Sequence, residues 1–299
     1  IAGAVAAAEA GAWANTLREE RARQHQDLSE QLPRKAWFAK VAGQAFRPEA
    51  LILEADCDPL DVVLRRTRAL LDDLKRTSAA ASLAPMAAEL SALAAKAQQT
   101  GVEDKSARRA LFDDACTLRR RIAFANPLLD FDKIVFVKQQ LPSIGHMCDQ
   151  FFGCFARPGG GLFVLEKPFG AEPVARDLLG AATLSNGRLK GKKLEGGCFM
   201  SPALSYNAGT LLFAYTECGL GTPRPAPRGW FRDAEWSPEL SYHIFRVNAD
   251  GSGLTQLTDG AWNDIHPWWL PDRRVVFMSE RRGGFGRCHA RPVPIYTLH

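Results

Sequence analysis

The chain has 299 residues, of which 46% are hydrophobic and 24% are charged, a composition typical of globular proteins. Its formal net charge is only +5 and no run of five like charges occurs, so nucleic-acid binding is not indicated. No stretch approaches the ~18 consecutive apolar residues of a membrane-spanning helix, and no span is predicted.

Residues 1–57 are assigned to an N-terminal segment. It opens with Ile and the Ala-rich run IAGAVAAAEAGAWA, which leaves two interpretations open. The small residues on either side of Trp13 are typical of the end of a secretory signal with its cleavage site. Glu9, in the middle of the run, instead favours an ordinary Ala-rich helix.

Residues 58–126 have a helical period and predict a hairpin or small bundle. In DPLDVVLRRTRALLDDLK, Asp58 is placed to cap a helix and Pro59 occupies its first position. Its predicted inner face consists of Leu60, Val63, Leu64, Thr67, Leu71 and Leu74. LAPMAAELSALAAKA repeats the pattern, and a third helix is predicted from about Lys105 to Phe124. The connectors are short, which predicts antiparallel neighbours, and the basic run Arg119–Arg121 is interpreted as a solvated face.

After Pro127 the pattern changes to strands and turns. DKIVFVKQQ, GTLLFAYTE and RRVVFMSER are similar, with Phe136, Phe213 and Phe277 spaced 77 and then 64 residues apart. Each is followed by a further apolar strand, within GLFVLEK, YHIFRVN and PIYTLH. FMSPALSYNAG and DIHPWWLPDRR precede the last two, with Pro202 and Pro267 in matching places. An internal repeat of about four strands predicts a β-propeller.

These segments resemble known families. IFRVNADGSGLTQLTDGAWNDIHPWWLPDRRVVFMSER resembles a TolB-type propeller repeat, with a tight turn at residues 248–251. RIAFANPLLDFDKIVFVKQ, GHMCDQFFG, ARPGGGLFVLE, NGRLKGKKLEGGCFMSPALSYN and SERRGGFGRCHARPVPIYTLH together resemble planctomycete-type relatives of the hydrazine synthase alpha subunit. The likeness covers the propeller-bearing middle domain, roughly Arg121 to His299, and the helical leader before it. It implies a periplasmic or otherwise exported bacterial protein.

The predicted fold class is therefore α+β and multidomain. Residues 58–126 form the helical region, and residues 127–299 form the first blades of an incomplete, all-β propeller. Because closure takes about four blades and PIYTLH falls in mid-blade, the chain is expected to be a fragment of a longer protein. A short β-sandwich built from the same strands is the alternative.

The loops of the repeat carry the candidate chemistry. Connections in a meandering blade alternate between the two faces of the disc, so the loops between the second and third strands of each repeat are expected to share one face. They contain imidazole, thiol and carboxylate groups: His146, Cys148, Asp149, Cys154, Cys218, Cys288 and His289. Asp264 and His266, at the entry to an innermost strand, are expected to open on the same face.

This set of donors predicts a zinc site, because thiolate, imidazole and carboxylate are the ligands that zinc takes in proteins. The predicted metal ligands are Asp149, Cys288, His146, Cys148 and His289. In the hydrazine synthase alpha family, a zinc beside a haem takes an Asp and a Cys from the propeller. The resemblance therefore implies Asp149 in HMCDQ and Cys288 in GRCH for these two positions.

Other interpretations of the same residues stay open. His146 and His289 also fit as hydrogen-bonded loop residues, and Cys148 with Cys154 as a disulfide or as buried small side chains. The basic side chains of the last loop are interpreted as solvated or ion-paired rather than anion-binding, and the aromatic ones before it as packing. These are Arg281, Arg282, Arg287, Trp262, Trp268 and Trp269.

The leading functional hypothesis is an exported scaffold or binding module whose loop face takes a protein partner or small ligand, with zinc. The competing hypothesis is a haem-dependent oxidoreductase of nitrogen metabolism. The seven cysteines form no Cys-x-x-Cys-His, so any haem motif would lie beyond residue 299. No catalytic residue is assigned, and whether the protein is an enzyme stays open.

Overall fold

A computed structural model describes residues 2–76, 80–143, 149–170, 172–218, 237–282 and 296–299, with side chains from residue 15 onward except those of residues 80, 81 and 149. The chain divides into two compact units, Ile1–Phe131 and Asp132–His299. The first is helical and the second consists of antiparallel sheets. The molecule is therefore a mixed α+β protein with a helical N-terminal region, as the sequence predicts.

The first unit contains five α-helices in its described residues. They are α1 (Ala2–Gln31), α2 (Lys35–Val41), α3 (Pro59–Lys75), α4 (Ala80–Gln99) and α5 (Lys105–Phe124). Asp58 caps α3 as predicted, since its side chain accepts hydrogen bonds from the backbone amides of Leu60 and Asp61. Asp104 caps α5 in the same way, through the amide of Ala107. None of the described helices is both long enough and apolar enough to cross a membrane.

Helices α3, α4 and α5 pack against one another around two groups of buried side chains. One group consists of Leu71, Leu74, Leu83, Leu90, Leu93, Leu118 and Ile122, and the other of Leu60, Val63, Ala97, Phe112 and Ala115. The inner face predicted for α3 is confirmed except at Leu64, which is only half-buried. Helix α1 lies against α3 and α5, with the His25 ring 5.0 Å edge-on from Phe112.

The basic run Arg119–Arg121 on α5 is interpreted as a solvated face, and this holds for one of its three residues. Arg121 is exposed and pairs with Glu89 at 2.8 Å. Arg119 and Arg120 are half-buried instead, and the Arg120 guanidinium lies 4.3 Å from the centre of the Phe124 ring. The physical reason is the packing of α1 on α5, which the sequence pattern did not predict.

The described residues of the second unit form three antiparallel sheets of consecutive strands. The first has the order β1 (Lys133–Lys138), β2 (Gly161–Glu166), β3 (Val174–Asp177). The second has the order β4 (Cys198–Leu204), β5 (Thr210–Thr216), β6 (His243–Asn248), β7 (Thr255–Gln256). The third has the order β8 (Asp264–Trp269), β9 (Val275–Ser279), β10 (Thr297–Leu298). The described strands form no closed barrel or propeller ring.

The second sheet lies between the other two. Strand β4 packs against β1 and β2 on one side and against β8 on the other. Alternate residues of β5 therefore enter different cores: Leu211, Phe213 and Tyr215 join Leu162 and Val164 of the first sheet. Leu212 and Ala214 join the cluster that includes Ile265 of the third sheet. This alternation is what a strand buried on both faces requires.

Two bulges occupy matching places in the first strands of neighbouring sheets. The register of β4 on β5 shifts between Met200 and Ala203, and that of β8 on β9 between Ile265 and Trp268. Ser201 and His266, immediately before the two prolines, have left-handed backbone angles of φ 53° and 50°. The structural equivalence predicted for Pro202 and Pro267 is thus confirmed.

Candidate functional site

The structure describes only part of the predicted zinc site. His146, Cys148, Cys288 and His289 lie outside the described residues. Asp149 is the first residue of a short 3-10 turn, Asp149–Phe151. The structure describes its backbone but not its side chain. In the described part of the chain, no three His, Cys, Asp or Glu side chains come together in a way that could hold a metal ion.

The segment after Asp149 packs against the second and third sheets. The amide of Gly153 donates a 2.9 Å hydrogen bond to Asn263 Oδ1, just before β8. The Tyr296 hydroxyl, just before β10, donates to the Phe151 carbonyl at 3.1 Å. A Cβ on Gly153 would lie 2.3 Å from the Leu240 carbonyl oxygen, so only glycine allows this approach. The described ends of the three predicted loops therefore meet.

Ser201 and His266 face each other at this place. Ser201 Oγ and His266 Nδ1 are 2.9 Å apart, joined by a hydrogen bond between the two bulges. The Phe151 ring lies 5.2 Å from the imidazole, edge to face. No described residue hydrogen-bonds His266 Nε2. His266 is exposed, but partial desolvation of its ring lowers its pKa below the ordinary value, so at pH 7 the imidazole is neutral and able to bind a metal.

A buried polar network holds the start of β8 in position. The Asn263 side chain accepts from the Gly153 and Tyr242 amides and donates to Glu280 Oε2 at 2.7 Å. Asp264 is fully buried and forms a 2.5 Å ion pair with Arg281. The expectation that Asp264 opens on the loop face is therefore wrong, since its charge is used to hold Arg281. The interpretation of Arg281 as ion-paired is confirmed.

Two cysteines form a further cluster inside the same unit. Cys198 and Cys218 are buried together with Tyr242, whose hydroxyl donates to Cys198 Sγ at 3.2 Å. The hydrogen bond from the Cys218 thiol, aided by the one from Tyr242, lowers the pKa of Cys198 although burial opposes it. The same hydrogen bond, with burial, raises the pKa of Cys218. The thiols are enclosed by apolar side chains, so their role in this form of the protein is packing.

Sequence reasoning did not identify the pairing of Ser201 with His266 or the Cys198 cluster. The matching prolines at 202 and 267 were a signal for the first, because a bulge before each proline places the preceding residues at equivalent points. No local sequence pattern points to the Cys198 cluster. No family model matches the chain, and no curated protein matches it.

Proposed function

We propose that residues 127–299 form the first blades of a TolB-type β-propeller related to the hydrazine synthase alpha subunit. The arrangement of three consecutive antiparallel sheets, packed through their first strands, supports this proposal. The repeated bulge before Pro202 and Pro267 supports it as well, because it marks the same point of two successive repeats. A periplasmic or exported location belongs to the same proposal.

The proposed function is that of a binding or scaffold module. Its docking site is the loop-end surface, defined as Phe151, Ser201, His266 and Tyr296. The observation that carries the proposal is the hydrogen bond between Ser201 and His266, which brings a neutral imidazole from one sheet against a hydroxyl from the next. The Phe151 ring contacts the imidazole, and the Tyr296 hydroxyl donates a hydrogen bond to the Phe151 carbonyl. A few polar groups among aromatic side chains are typical of ligand sites.

Zinc is the metal proposed for this surface. Asp149 lies two residues before Phe151, whose ring contacts His266, and Cys288 belongs to the predicted loop before the strand that contains Tyr296. Carboxylate, thiolate and imidazole together fit zinc chemistry. Asp149 and Cys288 are the proposed ligands, with His146, Cys148 and His289 as further candidates.

Elemental analysis of the purified chain tests the proposal. We expect about one zinc per chain, lost in Asp149→Ala and in Cys288→Ala. Asp72→Ala and Cys57→Ala remove an exposed carboxylate and an exposed thiol from the first unit, and both should keep the metal. A wild-type chain without zinc, or zinc retained in both site variants, would contradict the metal site. A haem absorption band in a longer form of the protein would favour the oxidoreductase instead.

A further inference from the structure

The first unit places two arginines on neighbouring helices without an acidic partner. Arg66 lies on α3 and Arg119 on α5, and both are half-buried. Together they line two cavities of about 220 Å³ each, one between α1, α3 and α5 and one on the side of Arg47. Within the described part of the chain, neither forms an ion pair with a carboxylate. Arg66 Nε is buried and has no hydrogen-bond acceptor there.

Three of the nearby carboxylates, Asp56, Asp73 and Glu49, are engaged with other arginines. Asp56 accepts two hydrogen bonds from Arg65, at 2.6 and 3.1 Å. Asp73 and Glu49, which line one cavity, pair with Arg47 at 3.2 and 3.4 Å. Asp27 lines the other cavity but forms no ion pair with Arg66 or Arg119, so within the described residues neither guanidinium has a carboxylate in direct contact.

This arrangement is unfavourable for the protein by itself. Burial, then the positive charges of Arg119 and Arg65, lower the pKa of Arg66. A half-buried guanidinium beside a second cation has lost part of its hydration without gaining an ion pair. An anion bound between the two would supply both the charge and the missing hydrogen-bond acceptor.

We propose that Arg66 and Arg119 form a binding site for a small oxyanion of the phosphate class. The size of the cavities fits a free phosphate or the phosphate group of a small ester. Asp27, Glu49 and Asp73 lie at the cavities beside the arginines. Their negative charges disfavour an extended polyanion such as a nucleic acid, and this selects a compact ligand.

Thermal unfolding of the full chain, followed by helical circular dichroism, tests the site. We expect inorganic phosphate to raise the unfolding midpoint above that in chloride at the same ionic strength and pH, increasingly with concentration. The shift should be lost in Arg66→Met and Arg119→Met. It should persist in Arg121→Met, which removes an exposed, paired arginine from the same helix. Glycerol 3-phosphate in a parallel titration separates the two sources: an equal shift assigns a phosphate ester, and a shift with phosphate alone assigns the free ion.

The unliganded variants give an independent readout. Arg66→Met removes a half-buried charge that has no ion pair, so without phosphate the variant should unfold at the wild-type midpoint or above it. If Arg66 had only a structural role, replacing it would lower the unfolding midpoint. If Arg66→Met does not fold, Arg119→Met carries the same comparison. No phosphate-specific shift in the wild type, or an equal shift in Arg66→Met and Arg119→Met, would overturn the proposal.

Discussion

Arg108 shows how a single buried side chain fixes the first unit. It is only 5% exposed and donates hydrogen bonds to Asp58 and Asp61 at the start of α3. It also donates to the carbonyls of Ala97 and Thr100 at the end of α4. One guanidinium thus binds a helix start and a helix end together. Burial raises the pKa of Asp58, but the hydrogen bonds from Arg108 and the backbone outweigh it, so its pKa lies below the ordinary 3.8.

Replacing Arg108 should therefore be costly. Arg108→Met leaves the Asp58 carboxylate buried without its counter-charge, and we expect a loss of about 3–5 kcal/mol in the free energy of unfolding at pH 7. Because the folded-state pKa of Asp58 is depressed, its stabilisation is complete above the ordinary pKa and is lost as the pH falls through the folded-state value.

Urea unfolding followed by helical circular dichroism at pH 7 and pH 3 measures both effects. The difference between wild type and Arg108→Met should shrink at pH 3, where Asp58 becomes protonated in the variant. Arg121→Met, at an exposed ion pair, should differ little from wild type at either pH. A deficit that stays constant between the two pH values would show that Asp58 is not the group responsible.

At the scale of elements, the turn between β6 and β7 joins two sheets. Gly251 has a φ of 93°, and a Cβ there would lie 2.4 Å from the Leu178 carbonyl oxygen after β3. Asp250 holds the turn by accepting from the Ser252 amide at 2.8 Å. The turn thus needs glycine for its backbone angle and also for its contact with the chain of the first sheet.

Two glycine substitutions separate these requirements. Gly191 also has a positive φ, 79°, but a Cβ there would meet nothing within 4 Å. We expect Gly191→Ala to cost about 1–2 kcal/mol in unfolding free energy, from the backbone angle alone. Gly251→Ala should cost clearly more, because the Leu178 carbonyl must also move. Urea unfolding followed by tryptophan fluorescence compares the two, and equal losses would mean that the contact with Leu178 is unimportant.

The elements themselves were largely predictable, because their signals are local. Asp58 and Pro59 mark the start of α3, and each predicted apolar strand is observed within its described residues. The packing of α1 was not predictable, since its Ala-rich start has no distinct apolar stripe. The candidate site depends on contacts over long separations, as between Ser201 and His266, which are 65 residues apart. Four of the five predicted ligands lie outside the described residues, so the zinc site stays a prediction.

At the scale of the whole second unit, the order of the sheets determines where stability should concentrate. Strand β5 pairs with a strand on each side and contributes side chains to both cores. Strand β3 is exposed along its length, and the structure pairs it with β2 alone. Opening β5 disrupts both cores, whereas opening β3 exposes little apolar surface.

Hydrogen exchange should follow this difference, because amides in the most connected strands exchange only through large-scale opening. We expect the slowest exchange in peptides covering β5 and β6 and much faster exchange in those covering β3, measured by mass spectrometry on the full chain. Phe213→Ala, which truncates a fully buried ring in one core, should speed exchange in β5 while leaving the order of the strands unchanged. Equal protection of β5 and β3 in the wild type would contradict a central position for the second sheet, and with it the stacking of sheets on which the propeller proposal rests.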